Sequence, residues 1–304
     1  MHQPTRREFL KVSAAAAASF VSLPRAFAQA PTAKEPLYKI SCTIYSLHKM
    51  IAAKELDPVE VAPFIKKNFD IDAIEYWNGP YAGKGNDEKF LADLRKRADD
   101  AGVTGTVILI DGEGNLGDPD EAKRNQAVDN HKKWVAAARQ LGCHSIRVNA
   151  RSRGEYDEQL NLAADGLRKL SEWAAPHEIN IIVENHGGLS SNGKWLSAVM
   201  KKVDLENCGT LPDFGNFLDY DRYLGTQELM PWAKLVSAKS HEFDAQGNET
   251  RTDYRRMMKI VVDSGFRGHA GIEYEGSKHS EVEGVKLTKA LLEKVRDELA
   301  AAKT

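Results

Sequence analysis

The chain has 304 residues, 42% apolar and 28% charged, an ordinary balance for a soluble globular protein long enough to bury a core without disulfide or metal staples. A formal charge of −2 gives no pull on a nucleic-acid backbone, so a nucleic-acid partner is not expected. Cys42, Cys143 and Cys208 are widely spaced, form neither a disulfide framework nor a zinc ribbon, and read as small buried residues, with one disulfide as the alternative.

The first 30 residues read as a leader. Thr5-Arg6-Arg7-Glu8-Phe9-Leu10-Lys11 is followed by a weakly apolar, alanine-rich run from Val12 to Leu23. Small-residue sites then stand at Ala26-Phe27-Ala28 and Ala28-Gln29-Ala30. Charged region, apolar region and cleavage site in that order mark an export signal. The arginine pair before Phe9-Leu10-Lys11 resembles a Tat-type signal, so the expected location is the periplasm. Cleavage takes four of 42 basic and one of 44 acidic residues, leaving 38 and 43, a net of −5. The apolar run is too short to span a bilayer, so no membrane association is expected after cleavage. Residues 31–37 read as a short linker, and nothing excludes a homo-oligomer.

From residue 38 short apolar runs alternate with helical patterns. A strand over 39–45 comes first, then a helix opened by Asp57-Pro58, where a capping residue precedes proline in the first turn. Strand 72–76 leads to helix 87–101, and strand 105–111 to helix 119–141. Strand 145–149 leads to helix 155–175, and strand 179–184 to helix 192–202. Strand 208–213 leads to a helical piece over 221–232, strand 235–241 to helix 252–264, and strand 268–274 to helix 280–301. Gly102, Gly142 and Gly265 stand just past helix ends, where a left-handed residue is wanted. Runs such as Thr106-Val107-Ile108-Leu109-Ile110 are apolar throughout, as parallel strands covered on both faces are. Eight strands and eight helices in strict alternation predict one domain over 38–304, a (β/α)8 TIM barrel of the α/β class. An open doubly wound sheet fits less well, because no G-x-G-x-x-G follows the first strand.

In such a barrel chemistry sits at the C-terminal ends of the strands. The last residues of strands five to eight are Glu184, Asp213, His241 and Glu273, spaced by 29, 28 and 32 residues, about one βα unit each. Three carboxylates at one mouth repel one another unless something positive lies between them. With one imidazole they make an oxygen-rich set suited to one divalent metal ion, Mn²⁺ first, with Mg²⁺, Co²⁺ or Zn²⁺ as the others.

The chain resembles the sugar phosphate isomerase/epimerase superfamily, the xylose isomerase-like barrels. The resemblance is carried by Val183-Glu184-Asn185-His186-Gly187-Gly188, Leu211-Pro212-Asp213-Phe214-Gly215-Asn216, Ala238-Lys239-Ser240-His241, and Gly265-Phe266-Arg267-Gly268 running into Gly271-Ile272-Glu273-Tyr274. It implies that Glu184, Asp213, His241 and Glu273 hold the metal and that Glu184 and Glu273 are the catalytic acid/base pair. Many epimerases of that family carry a histidine three residues after the strand-six aspartate. Here the position is Asn216, which can donate to a sugar oxygen but cannot shuttle a proton.

His186, Lys239, Arg147, Asn149, Glu75 and Asn216 are the expected substrate-binding residues. Arg147 and Asn149 share a strand face at i, i+2, as do Lys239 and His241. Arg251 and Asp253 follow strand seven within possible reach. Tyr45, Trp77 and Phe214 suit either a wall for a sugar ring or core packing, and His131 and His177 read as surface or packing residues on helices.

The expected function is a metal-dependent isomerase or epimerase. It would take a proton from carbon beside a sugar carbonyl through an enediolate, on an unphosphorylated sugar or keto-sugar. The alternatives are a keto-glycoside lyase or hydratase, eliminating at a 3-keto-glycoside with the same residues, and a non-catalytic periplasmic sugar-binding barrel.

Overall fold

In a computed structural model, residues 35–302 are described; the leader expected over 1–30 lies outside them. Eight parallel strands run in chain order: β1 Lys39–Thr43, β2 Ala73–Trp77, β3 Thr104–Leu109, β4 Ser145–Val148, β5 Asn180–Glu184, β6 Cys208–Leu211, β7 Val236–Ser240 and β8 His269–Tyr274. Each falls inside or within one residue of its expected span. Neighbours pair in the order β6-β5-β4-β3-β2-β1-β8-β7. The sheet then closes on itself at the β6–β7 seam. Ser237 N donates to Pro212 O at 2.9 Å, Phe214 N to Ser237 O at 3.1 Å, and Lys234 N to Thr210 O at 3.0 Å.

The helices among the described residues are α1 His48–Ala52, α2 Val61–Phe69, α3 Glu88–Asp100, α4 Glu121–Leu141, α5 Tyr156–Ala174, α6 Gly193–Val203, α7 Arg222–Leu229, α8 Tyr254–Asp263 and α9 Glu281–Ala301. The five-residue α1 is the addition to the sequence reading. Their starts are chemically marked. Asp87, Asp120, Asn192, Asp221, Asp253 and Ser280 each accept a backbone N–H of the first turn. Gly142 ends α4 at φ 73°, the left-handed turn that glycine adopts without strain. None of these helices is long and apolar enough to cross a membrane.

The strand period of two sorts the side chains into two cores. On β5, Ile181 and Val183 face the helical layer, while Ile182 joins Val107, Leu109, Leu211 and Leu235 inside the barrel. The same alternation on β7 sends Val236 and Ala238 outward and leaves Ser237 and Lys239 inside. The apolar plug therefore fills the barrel, and the polar inward residues above it form the mouth. Cys42, Cys143 and Cys208 are free and buried, as expected.

Candidate active site

Glu184 ends β5, Asp213 follows β6 and Glu273 lies near the end of β8. All three are buried, and their carboxylate oxygens come within 4.8 Å of one another, so this acidic triad could hold a metal ion. Asp213 is the most tightly fixed. The Asn185 side chain brackets its backbone, accepting from Asp213 N at 2.7 Å and donating to Asp213 O at 2.9 Å. Its Oδ1 accepts from Gly215 N and Asn216 N, both at 2.8 Å. Only Oδ2 is left to face the centre.

His241 does not join the triad. In the β7–β8 ladder Glu273 lies opposite Lys239, and Asp213 is bridged to Ser237. The triad therefore sits at the level of Ser237 and Lys239. His241 shares their inward parity but stands two residues further along, about 7 Å higher at the rise of a strand. It is half-buried, and its backbone N–H donates to Glu249 Oε1 at 3.2 Å. The strand-seven group between the carboxylates is the Ser237 hydroxyl, 2.8 Å from Asp213 Oδ2 and 2.7 Å from Glu273 Oε2. A hydroxyl has one proton to give, so the second short contact draws on a carboxyl proton.

Each carboxylate of the triad already has a positive charge beside it. Lys239 Nζ is 3.5 Å from Asp213 Oδ2, 3.7 Å from Glu273 Oε1 and 3.0 Å from Glu275 Oε1. Arg147 Nε is 2.9 Å from Glu184 Oε2, and its Nη1 is 3.0 Å from Asp111 Oδ1. Asn216 joins the two halves, donating to Glu184 Oε1 at 3.0 Å and accepting from Lys239 Nζ at 3.3 Å. The three carboxylates suit a divalent ion as donors. With the ammonium among them and no imidazole at their level, the set as it stands fits a metal poorly.

These neighbours separate the carboxylates. Burial pushes Glu184 well above the usual range, with Glu273 and Asp213 adding to it and Arg147 opposing. Asp213 is likewise raised by burial, against Lys239. Burial would raise Glu273 too, but Lys239, Ser237 and Arg147 outweigh it and hold this carboxyl below its ordinary value. Glu75 sits deeper. It accepts from Ser41 Oγ at 2.6 Å and is pushed up to about 8 by burial.

Above the Arg147 side of the mouth lies a cleft of about 300 Å³, lined by Asp111, Glu113, Asn115, Asn149, Arg151 and His186 among others. Two buried polar atoms at it have no hydrogen-bond partner, His186 Nδ1 and Asn149 Oδ1. Burial and Arg147 lower the basicity of His186, so its ring is neutral and can both give and take a hydrogen bond. Trp77 lies at the rim, donating to Asp111 Oδ2 at 3.1 Å with Tyr45 edge-on to it. Phe214 is buried against Tyr254 as core. His131 lines the cleft although it sits on α4. Arg251 is exposed and pairs with Glu242, and Asp253 caps α8.

Sequence reasoning missed Ser237, Asp111 and Glu275. Ser237 was within reach: counting back from Lys239 by two along an inward face lands on it. Asp111 had already been read as the end of strand three, where function collects.

A family model described as "Xylose isomerase-like TIM barrel" matches residues 66–298. No curated protein matches the sequence. Among solved structures, a sugar phosphate isomerase/epimerase from Parabacteroides distasonis is similar at 16% identity and TM-score 0.67, covering 87% of this chain and 96% of its own. An IOLI protein with a bound zinc atom is similar at 14% identity and TM-score 0.69, with 86% and 98% covered. The 3-keto-D-glucoside 4-epimerase of E. coli is similar at 15% identity and TM-score 0.64, with 78% and 94% covered. At such identities the likeness is one of fold, while the family match spans most of the sequence. The chain belongs to the xylose isomerase-like TIM barrel family.

Proposed function

We propose that the chain is a carbohydrate isomerase or epimerase that moves a proton on the carbon beside a sugar carbonyl, with Glu184 and Glu273 exchanging it. The observation that carries this is two buried carboxylates under one mouth, one paired with Arg147 and the other beside Lys239. Their surroundings push them apart, Glu184 toward the acid and Glu273 toward the carboxylate. Such a split is how one site supplies both an acid and a base. Glu273 takes the proton α to the carbonyl, and Glu184 returns one to the enediolate. His186 and Asn149 offer their open positions to sugar hydroxyls, and Trp77 presents an apolar edge to the ring.

An unphosphorylated sugar or keto-sugar suits this reading. No glycine-rich cradle follows strands seven and eight, a Tat-type leader would place the enzyme in the periplasm, and a structural neighbour acts on a 3-keto-glucoside. The same carboxylates would serve elimination from a 3-keto-glycoside. Asn216 favours that second reading, since it bridges Glu184 and Lys239 and carries no exchangeable acid proton. A divalent ion, manganese before magnesium, cobalt or zinc, would take Glu184, Asp213 and Glu273 as ligands only where the Lys239 ammonium gave up its place beside them. The zinc-bound neighbour supports that option. Without such an ion, the cations nearest to a substrate carbonyl oxygen would be Lys239 and Arg147, which stand beside the carboxylates.

Incubation in deuterium oxide with free ketoses and 3-keto-glycosides, followed by NMR, tests the proposal. Deuterium should enter the carbon α to the carbonyl, and Glu184→Gln and Glu273→Gln should each abolish it in folded protein. Sugar binding without exchange would leave a non-catalytic binding barrel.

A further inference from the structure

We infer that the ammonium of Lys239 is the resident cation of the acidic triad, so that the folded protein takes no divalent ion there. The inference concerns the site proposed above, but metal content reads it whether or not the protein turns over a sugar.

The ammonium sits in a built seat. Its four neighbours are Asp213 Oδ2 at 3.5 Å, Glu273 Oε1 at 3.7 Å, Glu275 Oε1 at 3.0 Å and Asn216 Oδ1 at 3.3 Å. The Lys239 side chain is 4% exposed. A lysine only gripping a carboxylate at a surface would not be enclosed this way.

The backbone is shaped to the lysine stem. A Cβ on Gly215 would lie 2.8 Å from Lys239 Cδ and 3.1 Å from its Cγ. The loop after β6 that presents Asp213 therefore has room for the stem only because residue 215 has no side chain. The loop and the lysine fit as a pair.

The remaining ligand position has been given up. The strand-seven residue between Asp213 and Glu273 is Ser237, whose hydroxyl contacts both carboxylates. A neutral hydroxyl is a poor ligand for the transition ions that favour imidazole and carboxylate together. The third carboxylate, Glu184, is paired with Arg147. A divalent ion among these oxygens would stand beside the ammonium in a buried place, where like charges are weakly screened.

The test is metal content after dialysis of wild type and Lys239→Met against Mn²⁺, and separately Mg²⁺, Co²⁺ and Zn²⁺, with thermal unfolding in parallel. Wild type should hold far less than one equivalent, and its Tm should not respond to any of the four ions. Lys239→Met should take up about one equivalent and gain Tm with rising ion concentration, as ligand linkage requires. Lys239→Gln serves the same purpose if Lys239→Met does not fold. A full equivalent retained by wild type overturns the inference, whatever the variants do. Absence of uptake by a folded charge-removed variant overturns it too, since the lysine would not be what keeps metal out.

Discussion

Asp213 and Ser237 meet across the seam where the barrel closes, Oδ2 to Oγ at 2.8 Å. This contact sets which strand-seven residue belongs to the triad and leaves His241 outside it. Ser237→Ala would strip a buried pair of carboxylates of their shared hydroxyl, at a cost of about 1–3 kcal/mol. His241→Ala, at a half-exposed position, should shift stability by no more than about 0.5 kcal/mol. Urea midpoints of the two variants decide it; a larger loss for His241→Ala would show that the triad's level has been misplaced.

Arg147 and Glu184 form a buried pair, with side chains 5% and 3% exposed. Removing one partner of such a pair costs about 3–5 kcal/mol, largely because the other charge is left stranded. Arg147→Met should therefore be severely destabilising, and Glu184→Gln less so, since burial already favours the protonated form. In Arg147→Met/Glu184→Gln much of the loss should return. A double-mutant cycle showing simple additivity would mean that the two side chains do not act on one another.

The architecture was legible because its signals are local. Alternating strands and helices, an aspartate or asparagine at helix starts and a glycine at helix ends all appear in the sequence. Glu184, Asp213 and Glu273 followed from counting strand ends. His241 was misplaced because a strand's inward parity shows in the sequence but its height in the barrel does not. Height is set by the β6–β7 register, in which Asp213 lies beside Ser237. Lys239 shares the inward face with His241, yet its four partners come from two other segments, the loop after β6 and the end of β8, and only closure of the barrel brings both to one nitrogen.

Gly271 and Glu75 are fitted to one another from the two strands that flank β1. A Cβ on Gly271 would lie 2.0 Å from Glu75 Oε1, inside a barrel where that side chain is only 2% exposed. Gly271→Ala should cost about 1–3 kcal/mol through overpacking. The same change should cost clearly less in a Glu75→Ala background, where the obstructing carboxyl is gone. Equal costs in the two backgrounds, measured by thermal unfolding, would show that the clash is relieved elsewhere.

Glu75 should also leave a signature in the dependence of stability on pH. Burial raises its carboxyl from 4.5 to about 8. Between those values the folded protein keeps a proton that the unfolded chain has released. Stability from this group is therefore complete below 4.5, falls as pH rises and levels off above 8, with a slope of about 1.4 kcal/mol per pH unit for one proton. Glu75→Gln keeps an acceptor for Ser41 and removes the titration. Its stability should match wild type near pH 4.5 and exceed it progressively toward pH 8. Glu184 and Asp213 are raised as well and titrate in both proteins, so the difference between the two curves isolates Glu75. Curves that run parallel across this range would mean that Glu75 is already ionised in the folded state, held there by a cation closer than Arg147.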